Sequence, residues 1–196
     1  MPKHKDVMDS REEAIARLLE FISIKSDGFK KPGMILIGGY ALRAYSQYSR
    51  YTRDCDFVMR KENGWHLDTI KKWLANETNI ESFETRETYG FARFSRLLTI
   101  GRKSAKIAID FMEGEVRGRT DDAVVLIDKR FVDDSRSVEI PIGSAKISFL
   151  VPSYRDYFIL KVVSARPSDI RDVAALVLKN GVPKGLPQRI GEILPH

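Results

Sequence analysis

Asp54 and Asp56 stand one residue apart in Thr52-Arg53-Asp54-Cys55-Asp56-Phe57-Val58, a stretch of strand composition. Alternation along a strand puts both carboxylates on one face and turns Cys55 and Phe57 to the other. Two carboxylates held close repel each other unless water screens them or a cation stands between them. A hard divalent ion such as magnesium or manganese suits them, because it takes oxygen ligands and keeps waters and substrate phosphates as the rest of its shell. A third acid, Asp110, sits in the later apolar run Ala108-Ile109-Asp110-Phe111. Upstream, Ile35-Leu36-Ile37 leads straight into Gly38-Gly39, and glycines at a strand-to-helix turn let backbone amides approach a phosphate without side-chain obstruction. Each signal alone has a plainer account: a solvated acid pair, a tight turn, an aspartate satisfied by backbone amides. The three together are hard to explain as packing.

Elements that would position these groups follow from periodicity. Residues 11–25 carry Ala14, Ile15, Leu18, Leu19 and Ile22 at helical spacing, with Asp9 and Ser10 as caps. Residues 34–37 read as a short apolar strand, 40–48 as a helix, 55–59 as a second strand and 64–77 as a helix. Between 80 and 150 the composition turns to strand, at 91–94, 106–111, 124–127, 138–142 and 146–151. Pro152 opens a helix to about Ala165, Pro167 interrupts, and 169–179 forms another. The glycines and prolines of 181–196 predict an irregular arm. The expected fold is α/β or α+β, with a core over 1–150 and a short helical C-terminal segment with its tail over 151–196.

Composition narrows the chemistry. The chain has 196 residues, 43% apolar and 31% charged, which excludes collagen-like, low-complexity and wholly disordered classes. A single cysteine, Cys55, excludes an internal disulfide framework and a multi-thiolate zinc site. His4, His66 and His196 lie far apart, so a metal would be held by oxygen. No run approaches the roughly 18–20 apolar residues of a membrane span, and residues 1–11 lack the apolar core of a signal peptide; a cytoplasmic protein is expected. Lys and Arg number 33 against 27 Asp and Glu, a net +6 that favours polyanionic partners such as nucleotides or RNA.

The order of apolar strand, Gly38-Gly39, short helix, Arg50-Tyr51-Thr52-Arg53-Asp54-Cys55-Asp56-Phe57 and a later strand bearing Asp110 resembles the nucleotidyltransferase superfamily that includes DNA polymerase beta. Within it the sequence is similar to the abortive-infection (AbiEii-like) type, which includes toxins of toxin–antitoxin pairs and carries Lys, Arg and paired Asp on C-terminal helices. Lys161, Arg166, Asp169 and Asp172 stand at compatible spacing, and the likeness spans about 34–178. The resemblance implies a mixed sheet flanked by helices. It also implies metal-dependent transfer of a nucleoside monophosphate from a nucleoside triphosphate to a hydroxyl, on a tRNA end, a protein side chain or a small molecule. By the same resemblance Asp54 and Asp56 would bind metal, with Asp110 completing a two-ion site and either lowering the acceptor hydroxyl's pKa or taking its proton. Gly38 and Gly39 would face the triphosphate, Arg50 and Arg53 would neutralise departing pyrophosphate, and Lys161 and Arg166 would reach phosphate, with Asp169 orienting Lys161. An antitoxin-like partner protein is a further implication. Tyr40 departs from the pattern, since relatives often place Ser or Thr after the glycines. The alternative is a catalytically silent nucleotide-, RNA- or partner-binding module on the same fold.

Other signals are weaker. Gly101-Arg102-Lys103-Ser104 lacks the upstream glycine of a phosphate-binding loop. Tyr45, Tyr48 and Tyr51 suit a core better than a base stack. Phe91 and Phe94 with Arg93 and Arg96 suggest an RNA-facing stripe or, more simply, a basic sheet edge.

Overall fold

The computed structural model describes residues 4–47, 51–77, 80–85, 89–120 and 122–195. Chain order begins with α1 (His4–Lys25), β1 (Ile35–Ile37), α2 (Gly38–Ala41), β2 (Asp54–Met59), α3 (Leu67–Leu74), β3 (Glu81–Thr85) and β4 (Gly90–Ile100). It continues with β5 (Lys103–Glu113), β6 (Glu115–Arg117), β7 (Val124–Leu126), α4 (Lys129–Asp133), β8 (Arg136–Ile142) and β9 (Ala145–Val151). Three helices follow, α5 (Tyr154–Ser164), α6 (Pro167–Asn180) and α7 (Leu186–Ile193). Seven strands form one mixed sheet in the order β3-β4-β5-β2-β1-β9-β8, while β6 and β7 pair separately. β2 runs parallel to β5 and β1 parallel to β9, and the other neighbours are antiparallel.

Alternation along the strands sorts the core into two layers. One face sends Leu36, Cys55, Phe57, Ile109, Phe111 and Phe94 against Ile15, Leu19 and Ile22 of α1 and Ile70 of α3. Phe57 stacks between Phe29 and Phe111, with ring centroids 5.4 Å away on each side. The opposite face sends Ile35, Ile37 and Val58 against Ile159 and Leu160 of α5, Phe131 of α4 and Ile193 of α7. Among the described residues that second layer does not extend over β3 and β4, where Phe83 stays 64% exposed.

Several elements differ from the sequence expectation, β6 and α4 among those it did not include. The helix expected over 40–48 is the four-residue α2 followed by a 3-10 turn, Leu42–Ala44. Tyr40 and Tyr45 are both buried, and five residues along a continuous helix would point them about 140° apart. The tighter turn brings both inward, and the Tyr45 hydroxyl donates to the Pro152 carbonyl. β3 was absent from the sequence pattern because Glu-Ser-Phe-Glu-Thr is an edge strand with little to bury.

The expected irregular arm over 181–196 instead contains α7. Gly185 supplies a left-handed φ of +67° just ahead of the helix, and Pro187 falls in the first turn, where its missing N–H costs nothing. Arg189 of α7 is 1% exposed. Its Nε donates to Asp156 Oδ1 at 2.7 Å, and its Nη1 and Nη2 fork onto Asp128 at 2.9 Å each. That guanidinium holds Asp128 below the usual carboxylate range, while the same Asp128 caps α4 through the Phe131 amide.

Candidate active site

Two neighbouring strands, β2 and β5, present the acids on one face. The parallel register of β2 and β5 pairs Asp56 with Asp110. Residues paired across strands project together, so Ile37, Asp56, Asp110, Arg93 and Phe83 form a single row across five strands. Asp54, two residues from Asp56, joins that face. The row opens into a cavity of about 610 Å³ lined by the three acids, Gly38, Gly39, Arg53, Lys161 and Arg166. Arg50 lies outside the described residues, as does Tyr48.

Gly38 is required by its neighbour. Its φ is +67°, and a Cβ there would lie 2.0 Å from Asp56 Oδ2. The backbone therefore passes against the carboxylate, where only glycine fits. Tyr157 of α5 pins this turn by donating its hydroxyl to the Gly38 carbonyl at 2.8 Å. A Cβ on Gly39 would come within 3.1 Å of Thr52 Oγ1, which itself donates to the Asp54 carbonyl at 3.1 Å. Thr52 thus brings a hydroxyl beside the glycines. Tyr40 does not: its side chain is buried in the core, and its hydroxyl has no hydrogen-bond partner among the described residues. Because α2 is a single turn, a helix dipole adds little behind the glycines.

The acids crowd one another. Burial pushes the Asp56 carboxyl up to about 7, and the charges of Asp110 and Asp54 add to it. Asp54 is raised by burial and then by Asp110. Arg166, which lines the same cavity, works the other way on both.

Asp110 is met by Arg93, whose Nε and Nη2 donate to its two oxygens at 2.7 and 2.6 Å. This fork holds the guanidinium more firmly protonated than an ordinary arginine. Among the described residues no three His, Cys, Asp or Glu groups converge as a ready ligand cluster, and Asp110 is closed onto a guanidinium. The donor set nevertheless fits a hard divalent ion: it is all oxygen, shares one face and is electrostatically strained without positive charge.

Lys161 is placed differently from the expectation that it reaches phosphate. Its Nζ donates to Asp169 Oδ1 at 2.7 Å and to Asp172 Oδ2 at 2.8 Å, and its side chain is 6% exposed. Two of its three donors thus tie α5 to α6. Asp169 also closes the start of α6, accepting the Arg166 amide at 3.3 Å.

Thr52, Arg93 and Tyr157 are the site residues that sequence reasoning missed. For Arg93 a signal existed. Gly101 at φ +61° opens the two-residue loop between β4 and β5 and pairs Ile100 with Lys103. Counting back along that hairpin sets Arg93 opposite Asp110. Phe94 instead enters the core and Arg96 faces the same side as Phe94, so the imagined Phe91–Phe94 stripe is divided between two faces.

No protein-family model matches the sequence, and no curated protein matches it. Two solved structures from Helicobacter pylori share its architecture. JHP933 superimposes with a TM-score of 0.50 at 12% identity, over 88% of this chain and 71% of its own. A second, named a candidate nucleotidyltransferase, gives 0.50 at 13%, over 88% and 73%. At that identity the likeness establishes the fold, a mixed sheet flanked by helices of the nucleotidyltransferase type. Among the described residues no helix is long and apolar enough to cross a membrane.

Proposed function

We propose that this chain is a metal-dependent nucleotidyltransferase that moves a nucleoside monophosphate from a nucleoside triphosphate to a hydroxyl acceptor. The observation that carries the reading is the placement of Asp54, Asp56 and Asp110 on one sheet face, with Asp56 wedged against Gly38. Magnesium or manganese, when bound, supplies Lewis-acid stabilisation of charge on the phosphoryl oxygens. Asp54 and Asp56 would hold it, and Asp110 would join them. Gly38 and Gly39 leave room for the triphosphate beside the Thr52 hydroxyl. Arg53 and Arg166 line the cavity and would offset the charge of departing pyrophosphate. The acceptor oxygen bonds to the α-phosphorus as the bond to pyrophosphate breaks, and an Asp110 oxygen takes the acceptor's proton.

The favoured acceptor is an RNA end. Support comes from the net +6 charge and from Phe83, Phe91 and Tyr89 on the uncovered side of the sheet, spaced 6.3 Å ring to ring, where unpaired bases would stack. Because nucleoside triphosphates are intracellular substrates, the reading places the protein in the cytoplasm. The finer likeness to the abortive-infection type, and with it an antitoxin-like partner, rests on the spacing of Lys161, Arg166, Asp169 and Asp172.

Arg93 closed on Asp110 favours a second reading, a silent module that binds nucleotide without metal. Radiolabelled nucleoside triphosphates offered with manganese and RNA, protein or small-molecule acceptors decide between them. Label transfer is expected, and Asp54→Ala lowers it by at least about 100-fold, since even outer-shell partners of a metal ligand are worth about 10–100-fold. Full transfer by Asp54→Ala, or tight nucleotide binding by calorimetry that is indifferent to metal, hands the case to the silent module.

A further inference from the structure

Arg93 brings a positive charge to the carboxylate that the metal-dependent reading needs, and it does so from an exposed position. Its side chain is 44% exposed, against 8% for that of Asp110. It lies on the part of the sheet face that the second core layer leaves bare, between Asp110 and the exposed Phe83 in the transverse row. A guanidinium there can leave its partner and be rehydrated at small cost, which a buried ion pair cannot do. These acids need a counter-charge in its place, because Asp56 stands opposite Asp110 in the strand register and Asp54 shares their face, so like charges crowd together.

We infer that Arg93 is an exchangeable counter-ion of the candidate centre, holding Asp110 in the nucleotide-free chain and releasing it to an incoming divalent ion. The inference rests on the metal-dependent reading of the site. Once displaced, the guanidinium still lines the cavity that Gly38, Gly39 and Thr52 also line, and would meet a polyphosphate extending across it as a planar fork suited to phosphate oxygens. Arg93 is therefore a positioning residue for Asp110 in one state and a substrate contact in the other. The free chain should bind a bare divalent ion weakly, because the ion must displace a bidentate partner, and should bind it well once a triphosphate offers Arg93 an equivalent one.

The test is manganese binding to the full, nucleotide-free chain, followed by the electron-spin-resonance signal of unbound Mn2+. Arg93→Ala is expected to bind Mn2+ at least about tenfold more tightly than wild type, the equivalent of about 1.4 kcal/mol. Arg93→Lys should fall between them, since lysine keeps the charge but not the fork, and it serves if the alanine variant does not fold. Adding Asp110→Asn to Arg93→Ala should abolish the gain. A purely structural arginine predicts the opposite sign, so equal or weaker Mn2+ binding by Arg93→Ala overturns the exchange while leaving metal dependence standing. Absence of Mn2+ binding from wild type and variants alike removes both.

Discussion

Lys161 and Arg93 each bring a positive charge to the wall of one cavity, and they are built for different ends. Lys161 is 6% exposed and clasped by Asp169 and Asp172, on helices that pack against each other. Arg93 is 44% exposed and forks onto Asp110 from the uncovered side of the sheet. The first arrangement is costly to open, because removing either partner strands a charge away from water. The second is cheap to open, because water takes over what the partner gives up. A cavity with one sealed pair and one open pair keeps its frame while changing its occupants. Residue type alone would not have separated them: the lysine is the one that the sequence pattern points at phosphate, and the arginine is the one it leaves at a sheet edge.

Four substitutions sharpen that contrast. Lys161→Ala leaves Asp169 and Asp172 facing each other and should cost about 3–5 kcal/mol of stability, a fall in melting temperature of roughly 6–20 °C by calorimetry. A loss under about 1 kcal/mol would mean that the pair is not sealed.

Asp56→Asn should act next most strongly, and with pH. An acid whose carboxyl sits near 7 when folded and near 4 when unfolded binds its proton more tightly in the folded chain. Stability is then lost as pH rises from about 4 through 7, and the loss is complete above that range. Asparagine removes the penalty. In chelator, Asp56→Asn should melt higher than wild type at pH 8 by something on the order of 2 kcal/mol, about half the full value of the shift to allow for water at the carboxylate. Near pH 4 the two should coincide.

Arg93→Ala should cost only about 1 kcal/mol in chelator at pH 7, far less than the lysine change. Urea titration of both variants side by side measures the ratio, and equal losses would collapse the distinction. Phe83→Ala should fall within about 0.5 kcal/mol of wild type, as exposed positions do. Single-stranded RNA binding, read by fluorescence anisotropy, should nonetheless weaken at least about fivefold if its ring stacks a base.

Much of the frame could be read before the structure, because it is written locally. The Asp54–Asp56 strand, the apolar run holding Asp110 and the Gly38–Gly39 turn are each short-range patterns, and alternation alone puts the two strand acids on one face. What escaped depends on pairing across distance. The Arg93–Asp110 fork exists only in the register that the Gly101 hairpin imposes, and the fate of Lys161 depends on how α5 meets α6. α7 escaped for another reason: Gly185 and Pro187 are read as interruptions in a string of letters but act as a start signal once Arg189 has buried partners to reach.

That last anchor bears on the acidic row as well. Asp156 and Tyr157 are consecutive on α5: the first is gripped by Arg189, and the second holds the Gly38 carbonyl that abuts Asp56. The final helix is therefore a remote brace of the acidic row, linked to it through one guanidinium, one peptide step and one phenol. Shortening the chain ahead of α7 would loosen the chemistry's geometry without touching a single group that lines it.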